Sequence, residues 1–348
     1  MPEKIPVAII THAQGAHLGA YFQALAAAPE VESVVLADPD LATQAAAEKA
    51  LGTRLKKTYR DIQQMLREAR PTMALVSMEA AQAPPAIDAA LEAGCHVFAE
   101  KPACVEAEDF AKLLAKADSK HLQLMLALAN RLHPAVAEAR RLIQESKLGH
   151  IYGINAHIIA DQTRLTRPEY HQSWFASKAK AGGGHLIWLG IHWLDLMLYM
   201  TGQQVRDVTA LTGVVGGQPI DVEDAAAVAL RLNGGALATL MSGYFLDRGY
   251  HSHIQIWGER GWLRMHVTEE LPLEWYSTAD SPAGETPQVQ RFEIPAGDRG
   301  YSPFVRAAVR ACAGLQPPPI TGTESLHVLQ TIFAGYTAAS TGQTQHLA

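Results

Sequence analysis

The chain has 348 residues, of which 48% are hydrophobic and 18% are charged, and its formal net charge is -6. This length suits two domains or one elaborate one, and the lack of a long basic run argues against a nucleic-acid surface. The first residues contain no apolar stretch long enough for a signal peptide or membrane span. Three cysteines without paired spacing are typical of a reducing compartment. We therefore expect a cytoplasmic globular protein with neither a membrane nor a nucleic-acid partner.

The first third of the chain alternates short apolar strands with helices. Strands are expected at 6–10, 31–38, 72–78, 96–99 and within 121–131. A helix separates each strand from the next, as in the alanine-rich segment after the first strand. Alternating strands and helices predict a parallel, doubly wound sheet.

Acidic and basic residues follow two of these strands, at the sheet edge where ligands bind. Asp38 ends the second strand, 27 positions beyond Thr11, where a carboxylate can bind both hydroxyls of an adenosine ribose. Glu100 and Lys101 follow the strand at 96–99. A lysine beside a glutamate can donate to a substrate oxygen or exchange a proton with it. An ordinary surface Glu-Lys pair would produce the same sequence.

Beyond about residue 125 the segments become short, β-rich and separated by turn signals. They predict a second domain with a large, mainly antiparallel open sheet, in which Asn233-Gly234-Gly235 forms a hairpin loop. Two helical runs close the chain. We assign residues 1–125 to the first domain and 126–348 to the second, and the closing helices are candidates for packing back on the first.

Residues 185–200 are almost wholly apolar and predict a buried helix. His185, Trp188, His192 and Asp195 recur at spacings of three, four and three, which places them on one helical face. One interpretation is a structural His-Asp pair satisfied by hydrogen bonds. Another is a histidine acting as acid, base or oxyanion donor in a cleft between domains. A metal between His185 and His192 lacks a third ligand in the sequence, so we assign none.

Together these segments resemble the glucose-fructose oxidoreductase, inositol dehydrogenase and MocA (Gfo/Idh/MocA) family. The resemblance is carried by the first strand and turn, Asp38, AEKP at 99–102, Asn130-Arg131 with Pro134, and G-G-G-x-L-x-x-x-G-x-H-x-x-D at 182–195. It implies a Rossmann domain followed by an α+β domain whose open sheet packs against another subunit. It also implies NAD(P) and hydride transfer at a sugar or polyol carbon.

By position, the resemblance makes Lys101 the catalytic lysine and His192 the proton-transfer residue, with Lys101-Pro102 a candidate cis peptide. Asp38 favours NAD over NADP, because its carboxylate would repel a 2′-phosphate. Besides Lys101, the cofactor candidates are Thr11, His12, Gln14, Gly15, Ala16, Asp38, Met78, Glu79, Glu100 and Asn130. The candidates for substrate contact are Arg131, His157, Asp161, Arg164, Tyr170, His171, Trp174, Trp188 and Asp195.

The chain departs from the family pattern at three places. Thr11, Ala13 and Ala16 replace the three glycines of G-x-G-x-x-G, and Gly15 and Gly19 are the candidates to compensate. Met78-Glu79-Ala80 stands where the family has threonine, proline and asparagine. Trp188 occupies the position of a family aspartate that shares the catalytic work. The tryptophan suits either stacking on a sugar ring or packing in a core.

Three functions follow from this pattern. The leading one is an NAD-linked oxidoreductase acting on a sugar, polyol or glycoside hydroxyl, with homodimers or homotetramers formed through the C-terminal sheet. The missing aspartate suggests an alternative, a redox-assisted glycoside lyase or hydrolase with tightly bound NAD. The missing glycines suggest a third, a non-catalytic homologue that has lost dinucleotide binding.

Overall fold

A computed structural model of the chain describes residues 4–269, 271–281, 285–297 and 299–347. The chain forms two compact units, each assembled from separate segments. The first consists of Met1–Ala129, Ala179–Gly182 and Asp298–Leu326. The second consists of Asn130–Lys178, Gly183–Gly297 and His327–Ala348. None of the helices in the described ranges is both long enough and apolar enough to cross a bilayer.

The first unit is built on a six-stranded parallel sheet, which confirms the predicted doubly wound class. Its strands are β1 (Ile5–Thr11), β2 (Val31–Ala37), β3 (Leu55–Tyr59), β4 (Met73–Ser77), β5 (His96–Ala99) and β6 (Leu124–Leu126), in the order β3-β2-β1-β4-β5-β6. Almost every residue of β1 and β4 is buried, as expected for central strands covered on both faces. The sequence did not predict β3, an edge strand with exposed Lys56 and Lys57.

Helices cover this parallel sheet. They are α1 (Leu18–Ala27), α2 (Gln44–Leu51), α3 (Ile62–Ala69), α4 (Ala83–Glu92) and α5 (Ala107–Ser119). Proline lies in the first turn of α4, where a missing N–H costs nothing, and Gly94 beyond its end has a φ of 84°. A sixth helix, Tyr301–Cys312, comes from the C-terminal part of the chain and packs on α1.

The second unit contains a nine-stranded sheet, in which β7 and β10 pair in parallel and the other neighbouring strands of the described residues pair antiparallel. The strand order is β14-β13-β12-β11-β7-β10-β9-β8-β15, which confirms the predicted, mainly antiparallel sheet. The strands are β7 (Ile151–Asp161), β8 (Val205–Gly213), β9 (Ala225–Leu232), β10 (Leu237–Leu246), β11 (Tyr250–Gly258), β12 (Gly261–His266), β13 (Leu271–Ser277), β14 (Gln290–Phe292) and β15 (Gln345–His346).

The remaining helices are α6 (Pro134–Gln144), α7 (Pro168–His171), α8 (Lys178–Ala181), α9 (Ile191–Thr201), α10 (Tyr301–Cys312, the sixth helix on the parallel sheet) and α11 (Gly322–Thr341). A π-helical turn at Leu186–Gly190 leads into α9. The predicted helix over 185–200 is therefore present, but its first part has the wider π spacing. Both α9 and the π-turn contact β7 of the second sheet.

Side chains alternate along the strands of the second sheet, and its outer face remains open. A row of register partners crosses this face from β8 to β11: Leu211, Ala227, Met241, His157 and His253. Leu211 is 74% exposed and Met241 is 42% exposed, whereas Ala156 and Ile158 beside His157 are buried on the inner face. We call this row the open-face row.

Candidate active site

In the turn after β1, the backbone at Gly15 still packs closely against neighbouring atoms, although the three glycines of the family pattern are absent. A Cβ on Gly15 would lie 2.1 Å from Thr11 Oγ1 and 2.7 Å from the Ser77 carbonyl oxygen, so only glycine fits there. The Thr11 hydroxyl itself donates to that carbonyl at 2.7 Å. At Gly19 a Cβ would meet nothing within 4 Å. A glycine is therefore required at position 15 by its neighbours in the fold, whereas position 19 has room for a side chain.

His12, in the turn after β1, contacts Glu79, in the turn after β4. The Glu79 backbone N–H donates to His12 Nε2 at 2.8 Å, and the Gln14 N–H lies 3.1 Å from Nδ1. Burial lowers the pKa of His12, and the nearby carboxylates, Glu79 foremost, oppose that shift. The neutral imidazole of His12 accepts this hydrogen bond from the turn after β4 and so links that turn to the turn after β1.

Asp38 lies at the end of β2, as predicted, but its carboxylate is buried within its own turn. Oδ2 accepts hydrogen bonds from the Thr43 N–H at 2.8 Å and from the Thr43 hydroxyl at 2.7 Å. Oδ1 accepts from the Asp40 N–H at 3.2 Å. Because the side chain is fully buried, binding a ribose would require Asp38 to exchange these local partners.

A cavity of about 520 Å³ opens at the carboxyl edge of the parallel sheet. It is lined by Pro39, Arg60, Asp61, Ile62, Gln63, Met78, Ala81, Gln82, Pro85, Ala86 and Ala89. Its mixed apolar and polar wall suits the adenosine half of a dinucleotide. A larger cavity of about 910 Å³ is lined by Thr72 and Gly94, which precede β4 and β5, so it lies at the opposite edge of the sheet from the ligand-binding ends.

The turn after β1 and the cavity beside Met78 fit a dinucleotide, whose pyrophosphate would lie against Gly15 and Ala16 and whose adenosine would enter the cavity. Once bound, NAD supplies a hydride acceptor. Met78 and Glu79 follow β4, and Glu100 and Lys101 follow β5, so the sheet brings these predicted residues to one edge. Asn130 begins the second unit.

Glu100 and Lys101 form a buried pair, with relative exposures of 3% and 1%. Lys101 Nζ lies 4.0 Å from Glu100 Oε1. An ordinary surface ion pair would be solvated, so burial removes that interpretation. The expected cis peptide bond between Lys101 and Pro102 is present.

The glycine motif of the second unit packs against neighbours that leave no space for a side chain. A Cβ on Gly183 would lie 2.1 Å from the Tyr336 hydroxyl, and one on Gly184 would lie 1.9 Å from the Glu223 carbonyl oxygen. A Cβ on Gly190 would lie 2.7 Å from Ser242 Oγ. The glycines therefore allow the π-turn to pack closely against β10 and α11.

Glu223 caps the start of the π-turn, a role that no local sequence pattern indicates. Its carboxylate accepts hydrogen bonds from the Gly184 N–H at 2.7 Å, the Leu186 N–H at 2.9 Å and the Tyr336 hydroxyl at 2.8 Å. Burial raises the pKa of Glu223, and these hydrogen bonds limit the rise. The cap fixes the beginning of the helix that carries His192.

The four polar and aromatic residues of this helix have different neighbours. His185 is fully buried, with Nδ1 2.6 Å from Ser242 Oγ and its ring edge-on to Tyr244. His192 is 8% exposed, in the first turn of α9. The π-turn alters the spacing on which the one-face prediction depended. π-turns inside helices are frequent at functional sites.

Asp195 is bound by Arg131, which follows β6 in the chain. Arg131 Nη2 lies 2.6 Å from Asp195 Oδ1, and Nε lies 3.0 Å from Oδ2. Both side chains are almost fully buried, and the guanidinium lies over the Tyr199 ring. Two predicted substrate residues therefore form a structural ion pair that anchors α9.

Trp174 and Trp188 meet in an aromatic cluster. Trp174 stacks on Phe175 with ring centroids 3.9 Å apart, and Trp188 lies edge-on to both rings. Phe175 was not among the predicted contact residues, and its position beside Trp174 is the signal that could have indicated it. Trp188, at the family's aspartate position, thus contributes an aromatic surface to this cluster.

The other substrate candidates lie elsewhere in the second unit. Tyr170 packs against Leu165 and Tyr244, and Arg164 Nη1 lies 3.3 Å from the Tyr244 hydroxyl. His171 contacts the Leu165 carbonyl within the same short segment. His157 points to the open face of the sheet, opposite the face that α9 covers, so it does not join the aromatic cluster.

Two family models match this chain along most of its length. Residues 9–128 match the oxidoreductase family with an NAD-binding Rossmann fold, and residues 136–264 match the GFO/IDH/MocA C-terminal domain. The chain belongs to the Gfo/Idh/MocA oxidoreductase family. It is therefore an oxidoreductase with an NAD-binding Rossmann domain, as predicted.

Several family members resemble the chain in sequence. Levoglucosan dehydrogenase of Pseudarthrobacter phenanthrenivorans is 28% identical over 173 residues, which is 44% of each chain. 1,5-Anhydro-D-fructose reductase of Ensifer adhaerens is 25% identical over 266 residues, which is 74% of each chain. The match to the levoglucosan enzyme thus spans less than half of that relative.

Solved Gfo/Idh/MocA structures resemble the whole chain. An oxidoreductase domain protein from Kribbella flavida superposes with a TM-score of 0.87 at 24% identity, covering 100% of both chains. A levoglucosan dehydrogenase in complex with NADH and L-sorbose has a TM-score of 0.84 at 20% identity, covering 99% of both. At these identities the likeness establishes the fold.

Proposed function

We propose that this chain is an NAD-dependent dehydrogenase that oxidises a hydroxyl of a sugar, polyol or glycoside, or reduces the corresponding ketone. Lys101 would donate a hydrogen bond to the reacting oxygen, and His192 would take the hydroxyl proton as hydride leaves the carbon. The observation that carries the proposal is the buried Glu100-Lys101 pair at the carboxyl end of β5, within a domain that matches the NAD-binding Rossmann family.

The residues that hold α9 in place support the proposed role of His192 as the proton acceptor. The Glu223 cap, the packed glycines and the Arg131-Asp195 pair fix the helix from several sides. Such a support holds the backbone of the histidine in one place, and imidazole is the side chain best suited to proton exchange near neutral pH.

The aromatic cluster supports a cyclic substrate. Trp174 is buried beneath Phe175, whereas Phe175 and Trp188 are only partly buried, so these two rings provide the apolar surface onto which the C–H face of a sugar ring can pack. Two relatives act, by name, on levoglucosan and 1,5-anhydro-D-fructose. We therefore favour an anhydro sugar or glycoside over an open-chain polyol.

NAD is favoured over NADP because acidic groups surround the turn after β1. Glu79, Asp38 and Asp40 all act on the His12 imidazole, and a 2′-phosphate brought near them would be repelled. The match of residues 9–128 to the NAD-binding Rossmann model argues against the interpretation that dinucleotide binding has been lost.

The replacement of the family aspartate keeps the redox-assisted lyase or hydrolase as a second candidate. Trp188 has no group that could share proton transfer with His192, and it packs in the aromatic cluster. Glycoside cleavage without net formation of NADH would favour this candidate over the dehydrogenase.

We also propose that two copies associate through the open-face row, consistent with a homodimer or homotetramer. Leu211 on β8, near one edge of the sheet, and Met241 on the more central β10 leave apolar surface exposed on the open face, and such surface is typical of protein interfaces. The free, buried thiols of Cys95, Cys104 and Cys312 suit the cytoplasmic location that we expect.

The decisive experiment is calorimetric titration with NAD, NADH and NADP, followed by a screen of anhydro sugars, glycosides and polyols for NADH formation. Lys101→Met and His192→Asn should each lower kcat by roughly 10²–10⁴-fold while NAD affinity changes little. Lys112→Met, which alters an exposed surface lysine, is the matched control. Failure to bind any of the three nucleotides would exclude the dehydrogenase.

A further inference from the structure

Glu100 is held by side chains from the start of α1. Tyr21 donates a hydrogen bond to Glu100 Oε2, and His17 Nδ1 lies 3.2 Å from the same oxygen. The other oxygen, Oε1, lies 4.0 Å from Lys101 Nζ. One carboxylate oxygen of Glu100 is thus bound by side chains at the start of α1, and the other oxygen faces the Lys101 ammonium.

Tyr301 extends this arrangement from α10. Its hydroxyl lies 3.2 Å from His17 Nδ1, and the two ring centroids are 4.6 Å apart. It also packs edge-on against Tyr21, at 5.2 Å between centroids. Burial, and then the charge of Glu100, raise the pKa of Tyr21 and of Tyr301 well above the ordinary tyrosine value. Both phenols therefore stay protonated at physiological pH and act as neutral partners.

We propose that Tyr21, His17 and Tyr301 are positioning residues that hold the Glu100 carboxylate away from direct contact with Lys101. This inference rests on the proposed role of Lys101 at the reacting hydroxyl. A charge-assisted hydrogen bond between an ammonium and a carboxylate has an N–O distance of about 2.7–2.9 Å. The observed 4.0 Å is longer, so Lys101 holds its proton less firmly than it would in a closed ion pair.

Removing the side chains that bind Glu100 should allow its carboxylate to move into direct contact with the Lys101 ammonium. Shortening the separation of two unit charges from 4.0 Å to about 2.8 Å, at an effective dielectric constant of about 20, corresponds to a rise of about one unit in the titration midpoint of Lys101. A lysine with a higher midpoint is a weaker proton exchanger at neutral pH.

The test is a pH titration of the apo protein labelled with ¹³C at the lysine ε-carbon, in which Lys101→Met assigns the Lys101 resonance. Tyr21→Phe and His17→Leu should raise the Lys101 midpoint by about one unit, and Tyr301→Phe should raise it by about half as much. Tyr276→Phe removes a phenol from the second unit and should leave the midpoint unchanged. Near-ultraviolet circular dichroism and NADH affinity establish that each variant is folded.

The positioning role would be overturned if the Lys101 midpoint in folded Tyr21→Phe and His17→Leu stayed within about 0.2 units of wild type. A lower midpoint in these variants would also overturn it. Because no substrate is added, the titration does not depend on dehydrogenase activity. Shifted midpoints in a protein that oxidises no sugar would remove only the proposed function. Unchanged midpoints in an active enzyme would remove only the positioning role.

Discussion

Arg131 and Asp195, 64 positions apart in the sequence, form a buried ion pair in which the guanidinium contacts both carboxylate oxygens. The pair joins the segment after β6 to α9. Breaking a buried pair leaves one charge without its partner and typically costs about 3–5 kcal/mol. Asp195→Asn and Arg131→Met should each lower the free energy of unfolding by about that amount, measured by urea denaturation.

Arg141→Met is the control for this pair, because Arg141 makes exposed ion pairs on α6 with Glu138 and Glu145. It should cost less than about 1 kcal/mol. The double variant Arg131→Met with Asp195→Leu should recover part of the loss, since no buried charge is left alone. Losses below about 1 kcal/mol in both single variants would contradict the anchoring role.

The turn after β1 allows a comparison between two glycines only four positions apart. Gly15→Ala should weaken NAD binding at least tenfold, because the new Cβ would collide with Thr11 Oγ1 and the Ser77 carbonyl oxygen. Gly19→Ala has open space and lies in α1, so it should leave affinity unchanged and raise stability by about 0.5–1 kcal/mol. Calorimetry with NAD and thermal denaturation measure both effects. Equal NAD affinities for the two variants would contradict the steric argument.

Glu30 should make the first unit sensitive to acid. Burial alone would raise its pKa, but hydrogen bonds from Arg306 and Arg310 outweigh burial and lower the pKa to about 2. A carboxylate with a lowered pKa stabilises the folded state above its unfolded pKa, and this stabilisation is lost as the pH falls from about 4.5 towards 2. The full shift corresponds to about 3 kcal/mol, and screening of the half-exposed arginines reduces this to about 1–2 kcal/mol.

Urea unfolding at several pH values, with Glu30→Gln for comparison, measures this effect. Wild type should exceed Glu30→Gln in stability at pH 7, and the difference should shrink below pH 4.5, the ordinary value for glutamate. A difference that stays constant down to about pH 3 would show that the carboxylate charge does not cause it.

The open-face row should control association. Leu211→Lys and Met241→Lys place charges in the middle of the exposed apolar surface, and burying unpaired charges between copies is costly. Light scattering after size exclusion should show smaller species than wild type, with unchanged circular dichroism. Leu315→Lys, at an exposed apolar position of the first unit, is the control. A wild-type monomer would contradict the proposed interface.

The parallel sheet and the position of Lys101 could be predicted because both depend on local patterns. Apolar runs of strand length alternate with helices, and each strand delivers the next residues to the sheet edge. β3 was not predicted because an edge strand exposes its charged side chains and therefore lacks the run of apolar residues that indicates a buried strand.

The arrangement of the second unit depends on contacts that no local pattern encodes. The Glu223 cap and the Arg131-Asp195 pair join residues 37 to 113 positions apart. Alternation in β7 placed His157 and Ala156 on opposite faces, but only the packing of α9 shows which face is covered. A π-turn changes the angular spacing of the helix without any distinctive residue.

The first unit is discontinuous in the chain, and this has a consequence for synthesis. Phe304 and Val305 of α10 are fully buried in it, and Arg306 pairs with Glu30. After Ala129 has been synthesised, the ribosome must still translate residues 130–297, which include most of the second unit, before residues 298–326 are made, and this takes on the order of 10–30 s at about 5–20 residues per second. During that interval the surface of α1 that α10 covers in the folded protein lacks its partner, so a fragment ending at Ala129 should aggregate.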